Sequence, residues 1–388
     1  MTELKNDAIL FLMLCVLCVS CTNTAKTLED NGVREINIID NLINSPQGVK
    51  LSTIALGIEY IALETNEKTF VDGHALIYAT NNRIVTAGGE ACYVFDRQTG
   101  SFIRQVAKLG RGPGEYTETI PTFWDAKNEQ VCFWGHMHYM FYNIDGTFSH
   151  QADRFKYAMP YFVSYENFYV GYVSNWKANA TSRIAFYDKE GLLVDSIPNY
   201  RSWKRTKTSY GRGGAEVCMY LFNDSLYYKD IYCDTLYQIK DFALHPRYIF
   251  NTGGLSVPYE IQEGGRYELK GEMIDKYEPY INITKILEDN RYLYIKYDHR
   301  KAFYRMVYDK KEGSEKTIPL SGFENDLDGG LPFWPEQMIP NKEMMCSFTA
   351  EQLLALDKSK ITDEKLKNLL NRLKDDDNPV IAIVTLKE

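Results

Sequence analysis

Beyond the N-terminal segment that ends at Cys21 the sequence has no CxxC pair, and nowhere does it have a long basic run or an apolar run long enough to cross a bilayer as a helix. Without a CxxC pair in that part of the chain it lacks the signature of a zinc ribbon or of a thioredoxin-type site. A formal net charge of −8 argues against a nucleic-acid partner, because such partners require a basic stripe. No GxSxG motif is present, so the sequence offers no nucleophile elbow either.

Aromatic residues, by contrast, are abundant. They make up 14% of the 388 residues, and 29 of them are tyrosines. A tyrosine ring packs on a pleated surface while its hydroxyl stays wet, so this composition favours β-structure.

The N-terminal segment has the features of a targeting signal. Residues 8–20, "AILFLMLCVLCVS", form a run of signal-peptide length that ends at Cys21 and is followed by polar "TNTAK". This pattern predicts a lipoprotein signal peptide over residues 1–20, lipidation of Cys21 and a tether over residues 21–50. A plain secretory signal or a buried N-terminal helix is the alternative.

The remaining five cysteines are widely spaced, at positions 92, 132, 218, 233 and 346. Their odd number and wide spacing predict free buried thiols. A bridge between Cys218 and Cys233 is the alternative.

A hairpin unit recurs along the chain, in which an alternating strand leads through an Asp/Gly turn into another strand. It is seen at 92–106, 140–150, 184–197 and 306–318, and in degenerate form at 225–239. The period of roughly 40 to 50 residues is typical of four-stranded propeller blades. Closing a ring of blades requires that the isolated strand at 57–65 pairs within a last blade formed by residues ~331–388, since open edges invite aggregation.

Few helices are expected. Thr349 and Gln352 form a candidate capping box. Leu366, Leu369, Leu370 and Leu373 lie at helical spacing, so a helical insert over ~349–375 is predicted to split the last blade and to pack with this stripe.

Several segments together resemble the six-bladed β-propeller lipoproteins of Bacteroidetes, which are similar to NHL- and TolB-like propellers. The segments are "IEYIALET" (58–65), "GRGPGEY" (110–116), "FDRQTGSF", "YNIDGTF" and "DDDNPVIAIVTLK" (375–387). The resemblance implies an all-β, six-bladed propeller over residues 51–388. It implies no catalytic residue, because no shared activity defines that family.

Two glycine-rich loops are the candidate ligand-binding sites. "LGRGPGEY" (109–116) lacks the Lys-Ser/Thr of a phosphate-binding loop, and Pro113 breaks the spacing of a dinucleotide fingerprint. It is interpreted as a joint between two blades, with ligand contact by Arg111, Glu115 and Tyr116 as the alternative. "YGRGGAEV" (210–217) places Arg212 and Glu216 similarly and is its weaker companion.

Other candidates are interpreted structurally. His136 and His138 share one face of a strand, but no spacing supplies further ligands, so no metal and no cofactor are predicted. Phe123–Trp124 and Phe333–Trp334 are predicted to fill spaces between blades rather than to stack on sugars.

These observations predict a binding module of the cell envelope, attached to the outer membrane by lipid and facing either the periplasm or the surface. Its partner would be an envelope glycan, peptide or protein. A propeller hydrolase or lyase acting at the channel mouth is the alternative, since the fold does not decide between them.

Overall fold

A computed structural model describes residues 32–387, except 74, 89–90, 108–109, 111, 113–114, 116–120, 135–137, 154, 158, 160, 176, 206–215, 265–275 and 341. Cys21, Arg111, Tyr116, His136 and Arg212 lie outside these residues. Among the described residues, no helix is both long enough and apolar enough to span a membrane.

The described strands are short, and most of them carry buried apolar side chains. In chain order they are β1 (Arg34–Asn37), β2 (Ala55–Ala62), β3 (Leu76–Ala79), β4 (Arg83–Gly88), β5 (Ala91–Asp96), β6 (Phe102–Gln105), β7 (Pro121–Asp125), β8 (Gln130–Trp134), β9 (His138–Asn143), β10 (Phe148–Asp153), β11 (Tyr161–Tyr165), β12 (Phe168–Tyr172), β13 (Ser182–Tyr187), β14 (Leu193–Pro198), β15 (Val217–Phe222), β16 (Ser225–Asp230), β17 (Thr235–Lys240), β18 (Ala243–Asn251), β19 (Asn282–Glu288), β20 (Tyr292–His299), β21 (Ala302–Asp309), β22 (Ser314–Ile318), β23 (Gln337–Ile339), β24 (Glu343–Phe348) and β25 (Val380–Leu386).

These strands form six small sheets, which are the blades of a six-bladed β-propeller, as the sequence predicts. Blades 1 to 5 are the meanders β3–β6, β7–β10, β11–β14, β15–β18 and β19–β22, and blade 6 is ordered β23-β24-β25-β2. The first strands line the centre, because β15 contacts β19 and β11, while β23 contacts β19 and β3. Because the four antiparallel strands of a blade reverse direction three times, the last strand ends on the face of the wheel where the first strand begins, and this face is called here the connection face.

The hydrophobic core is divided among the spaces between neighbouring blades. Between blades 4 and 5, for example, Leu236 and Phe250 pack against Ile286 and Leu293. Phe123 of blade 2 lies 4.9 Å from Phe162 of blade 3, and Trp124 stacks on Tyr78 of blade 1 at 5.3 Å. Phe333 and Trp334 are likewise buried in the core between blades 5 and 6, so both aromatic pairs fill spaces between blades as predicted.

The ring is closed by the two ends of the chain, as the sequence predicts. Strand β2 pairs antiparallel with β25, from Ala55 opposite Leu386 to Ala62 opposite Val380. The buried side chain of Asn378 fixes the end of this seam, because its amide donates to Glu64 O at 2.7 Å and its oxygen accepts from Val71 N at 2.9 Å. Strand β25 is therefore paired on both of its edges, by β24 and by β2.

The aspartates at the hairpin tips explain why the blade repeat can be recognised in the sequence. Asp96 Oδ1 accepts hydrogen bonds from the backbone N–H groups of Gln98 and Thr99, each at 3.0 Å. Asp145 accepts from Thr147 in the same manner, at 2.8 Å. These local bonds satisfy turn donors and hold the reversal between the third and fourth strands of a blade.

The helices are few and short. They are α1 (Ile39–Ile43), α2 (Ala350–Leu354) and α3 (Glu364–Arg372), with 3₁₀ turns at Leu51–Thr53, Tyr259–Gly264 and Lys358–Lys360. Thr349 and Gln352 form the predicted capping box at the start of α2. The predicted leucine stripe packs inward, with Leu366, Leu369 and Leu370 buried against α2 and blade 6.

The assignment of residues 21–50 to a tether is wrong for their described part. Strand β1 pairs in parallel with β18 and makes blade 4 five-stranded, with Arg34 opposite Tyr248. Ile36 and Ile38 are fully buried between blades 4 and 5. Two buried isoleucines remove enough apolar surface from water to hold so short a strand against the wheel.

Candidate functional site

In the first glycine-rich loop (109–116), Glu115 makes hydrogen bonds within the loop. The loop leaves blade 1 after β6 and enters blade 2 at β7, as predicted. The Glu115 carboxylate accepts from Gly112 N at 2.7 Å, and Glu115 N donates to Gly112 O at 3.1 Å. A Cβ at Gly110 would lie 1.9 Å from this carboxylate, so a larger residue there would displace the Glu115 side chain. Glu115 thus closes the loop on itself, which supports the joint interpretation.

The second glycine-rich loop places its glutamate quite differently. Glu216 directly precedes β15 and is 0% exposed. Its carboxylate accepts hydrogen bonds from Tyr172 Oη at 3.1 Å, Tyr232 Oη at 3.0 Å and Ser174 Oγ at 3.4 Å. Burial and then the negative charge of Glu216 raise the pKa of Tyr232 far above its ordinary value. Glu216 therefore orders hydroxyls inside the protein, and ligand contact by this loop stays a prediction for Arg212.

A second buried carboxylate, Asp230, lies close by at the end of β16. Arg183 approaches Oδ2 at 2.9 Å, and Arg201 holds both oxygens, at 3.2 and 2.7 Å. The Tyr228 hydroxyl donates to Oδ2 at 2.6 Å. Burial alone would raise the pKa of Asp230, but the two guanidiniums overcome it and hold the pKa well below its usual range. We call Arg183, Arg201, Glu216, Asp230 and their tyrosine partners the blade 3–4 charge cluster.

This cluster fixes the chain that crosses the connection face from blade 3. Arg201 lies 4.4 Å above the centre of the Tyr259 ring, and the Trp203 indole donates to Asn175 O at 2.9 Å. Asn175 in turn donates to the Tyr259 hydroxyl at 2.8 Å. Asn199, Arg201 and Trp203 are therefore tied inward by hydrogen bonds, an ion pair or a ring contact.

The residues between these positions, and Arg205 after them, face solvent. Tyr200 is 91% exposed, and Lys204 and Arg205 are also exposed. The backbone N–H of Lys204 donates to the Glu263 carboxylate at 2.9 Å, which ties the segment to the neighbouring connection. We call residues 199–205 the outward segment, since it presents one aromatic ring and two cations on a fixed base.

Sequence reasoning missed both Asp230 and the outward segment. The partners of Asp230 lie 47 and 29 residues away along the chain, so no local spacing connects them. A signal was nonetheless present in "YKD" (228–230), where two charged residues stand in an otherwise apolar strand. Charges at such positions are rare unless paired, and so point to a buried ion pair.

The seam between blades 6 and 1 carries a separate polar cavity. It has a volume of 340 Å³ and is lined by Glu59, Asn81, Arg97, Gln98 and Glu343. Arg97 bridges the seam through ion pairs to Glu343 at 2.8 Å and Glu59 at 3.1 Å. The strong internal pairing assigns this site to ring closure.

His138 and the five cysteines after Cys21 are the remaining candidates within the described residues. His138 Nδ1 lies 3.2 Å from Asp153 Oδ1. No group of three or more His, Cys, Asp or Glu side chains within the described ranges is arranged to hold a metal ion. The cysteines at 92, 132, 218, 233 and 346 are free thiols, so Cys218 and Cys233 form no bridge.

Fold and site define a six-bladed β-propeller whose connection face is stiffened by buried charge. A family model described as "Domain of unknown function (DUF4934)" matches residues 33–385, and the chain belongs to this family. None of the curated proteins compared with the chain matches it.

Two solved structures from Bacteroides are similar to this chain. A "putative exported protein" of Bacteroides fragilis is 18% identical, with 91% of this chain and 99% of that chain covered at a TM-score of 0.68. A member of the DUF4221 family from Bacteroides vulgatus is 10% identical, with 88% and 99% covered at a TM-score of 0.49. The first likeness supports the shared propeller fold.

Proposed function

We propose that this protein is a lipid-anchored binding module of the cell envelope, and that the connection face over blades 3 to 5 engages a glycan, peptide or protein partner. The observation that carries the binding role is the outward segment. Its tyrosine and two cations face solvent, while Arg201 and Trp203 hold it from below.

The chemistry of this segment suits recognition. Tyrosine and arginine are enriched at protein interfaces, because each offers a large contact area together with hydrogen bonding. A segment already held in place loses little conformational entropy on binding, so more of the contact energy appears as affinity. Lys204 and Arg205 favour a partner that carries carboxylates or other anionic groups.

The proposed location at the outer membrane is supported by the N-terminal sequence. The apolar run over residues 8–20 ends at Cys21, which is the residue that would receive the lipid. The structural neighbour from Bacteroides fragilis carries a name that describes it as exported, in agreement with this address. The anchor would place the propeller at the outer membrane.

Binding is tested with the full chain on arrays of envelope glycans and acidic peptides. We expect saturable binding by at least one class, and at least a tenfold loss of affinity in a Tyr200→Ala/Arg205→Ala variant. Phe70→Ala is the matched control, since Phe70 is 72% exposed and lies in the connection between blades 6 and 1. Equal losses in both variants, or no binding at all, would reject the proposed face.

The proposed lipid attachment is tested separately by replacing Cys21. Cys21→Ser should abolish incorporation of labelled fatty acid and move the protein out of the membrane fraction in its native host. If the variant stays with the membrane and the wild type incorporates no label, the lipoprotein assignment is wrong while the binding proposal still stands.

A further inference from the structure

Three cationic side chains form a row across blade 5. Lys285 of β19 is directly opposite Lys296 of β20, and Lys296 is directly opposite Arg305 of β21. Directly opposed residues have Cβ atoms about 5 Å apart and point to the same face of the sheet. We call these residues the cation row; it faces blade 6.

The row is only partly compensated. The Lys285 ammonium donates to the backbone carbonyl of Glu336. Arg305 lies 5.2 Å above the centre of the Trp334 ring, which supports the flat guanidinium and leaves its N–H edge open. Among the described residues, neither Lys296 nor Arg305 has a hydrogen-bonded acceptor or an ion pair.

The groups around the row do not neutralise it. Glu336 is the carboxylate on the blade 6 side, and it is exposed and accepts from Ser347 N at 3.2 Å and Ser347 Oγ at 3.0 Å. Asp298 is the next residue on the same face of β20 and accepts from Asn282 at 2.8 Å. The Cys346 thiol completes the wall, and burial raises its pKa well above the usual range, so it is neutral.

Holding these charges together is costly for the fold. Burial and then the neighbouring positive charge lower the pKa of both Lys285 and Lys296. Like charges directly opposite one another destabilise a sheet. A row of this kind is expected where an external anion supplies the missing negative charge.

We propose that the cation row is a binding site for a dianionic oxyanion, of which a phosphate monoester is the chemical type. Three cations face the two carboxylates of Glu336 and Asp298, so positive charge remains in excess at the row and favours an anionic ligand. The open edge of Arg305 offers two parallel N–H donors to phosphate oxygens, and the lysines supply compact charge.

The substituent on the phosphate would extend toward Phe303, which lies two residues from Arg305 on β21 and is 68% exposed. Residues two apart on a strand share a face, so this ring adjoins the row. An exposed phenyl ring beside three cations is suited to the apolar or ring portion of a phosphate ester. This site lies on a different pair of blades from the outward segment, and the two proposals are independent.

Calorimetric titration at low ionic strength tests the site, with inorganic phosphate and glycerol 1-phosphate as probes and the full chain carrying Cys21→Ser as protein. Vesicles of phosphatidylcholine with phosphatidic acid form the second arm, and vesicles of phosphatidylcholine alone report any binding by the apolar N-terminus. Binding of the soluble ester alone identifies a free phosphate ester as the ligand. Binding that requires phosphatidic acid identifies a lipid headgroup.

Variants then assign the binding to the row. Lys296→Gln and Arg305→Gln should each weaken binding by about tenfold or more, because each removes a charged hydrogen bond to the anion. Arg305→Lys keeps the charge but loses the paired donors, so an intermediate affinity is expected. Lys240→Gln, at an exposed lysine of blade 4, should bind as the wild type does.

Two results would overturn the proposal. One is the absence of saturable binding in both arms. The other is an equal loss of affinity in Lys240→Gln and in the row variants, which would reduce the effect to general electrostatic attraction. Circular dichroism of each variant excludes unfolding as the cause of lost binding.

Discussion

The blade 3–4 charge cluster and the cation row are two ways of placing charge between propeller blades. In the cluster, Arg183 and Arg201 both reach the same buried carboxylate, at 2.9 and 2.7 Å. In the row, Lys296 and Arg305 lie half-buried in register without an ion pair among the described residues. One site is closed by its own counter-charge, and the other leaves donors open.

This difference separates a structural role from a binding role. A buried ion pair that satisfies itself holds two blades and one connection in place, and it offers nothing to a ligand. An uncompensated row weakens the blade that carries it, so it is retained at a cost to stability. The cluster should therefore be sensitive to the loss of charge, whereas the row should tolerate or even gain from it.

The largest effect is expected at Asp230. Asp230→Ala leaves two guanidiniums in partly desolvated surroundings without counter-charge, and should lower the free energy of unfolding by about 3 kcal/mol or more. Urea denaturation followed by tyrosine fluorescence measures it. Asp195→Asn, at an exposed position of β14, is the control and should change stability by less than about 0.5 kcal/mol. A loss at Asp230 no larger than at Asp195 would show that the cluster does not hold the blades.

The pH dependence of stability follows from the same carboxylate. The pKa of folded Asp230 lies below that of an unfolded aspartate, which is about 3.9. Its contribution is thus fully present above that unfolded value and is lost as the pH falls through the folded pKa. Unfolding free energies measured from pH 6 downward should fall more steeply below about pH 4 in the wild type than in Asp230→Asn. Parallel curves would contradict this contribution.

A smaller effect is expected at the hydroxyl shell of Glu216. Tyr232→Phe removes the donor that lies 3.0 Å from Oε1 of a fully buried carboxylate. The loss of a hydrogen bond to a charged group should cost about 1.5 to 3 kcal/mol. Tyr200→Phe removes a hydroxyl at a 91% exposed ring and serves as the matched control with no measurable change. Equal unfolding midpoints for the two variants would remove Glu216 from the stabilising cluster.

The contrast between the two sites also explains what could be predicted from the sequence. The blades were predictable because their turns are local, as where Asp96 accepts from residues two and three positions later. The closure of β2 on β25 was predictable because a ring has one unpaired strand at each end of the chain. Strand β1 was missed, since four residues without a turn signal carry too little periodicity.

Both charge sites depend on partners that sequence spacing does not reveal. Asp230 meets Arg183 across 47 residues, and no local pattern marks either residue as a partner. The cation row depends on the register of two hairpins, and a shift of one residue would turn Lys296 to the opposite face. The candidate loops, in contrast, were chosen by composition, and the described geometry shows Glu115 and Glu216 occupied within the protein.

The smallest effect is expected for Lys296→Gln, and the sign of its change in unfolding free energy distinguishes the cation row from the blade 3–4 charge cluster. Lys296→Gln removes the central member of the cation row and so relieves its repulsion from both Lys285 and Arg305. The free energy of unfolding should therefore rise by about 0.2–1 kcal/mol in phosphate-free buffer of low ionic strength. The gain should shrink at 1 M salt, because mobile ions screen the repulsion in the wild type over about 3 Å. Urea denaturation at both salt concentrations measures this, with Lys240→Gln as the control that should show no gain. A stabilised variant that no longer binds phosphate would mean that the row is maintained for its ligand, whereas a destabilised variant would mean that Lys296 is satisfied within the fold, as Asp230 is.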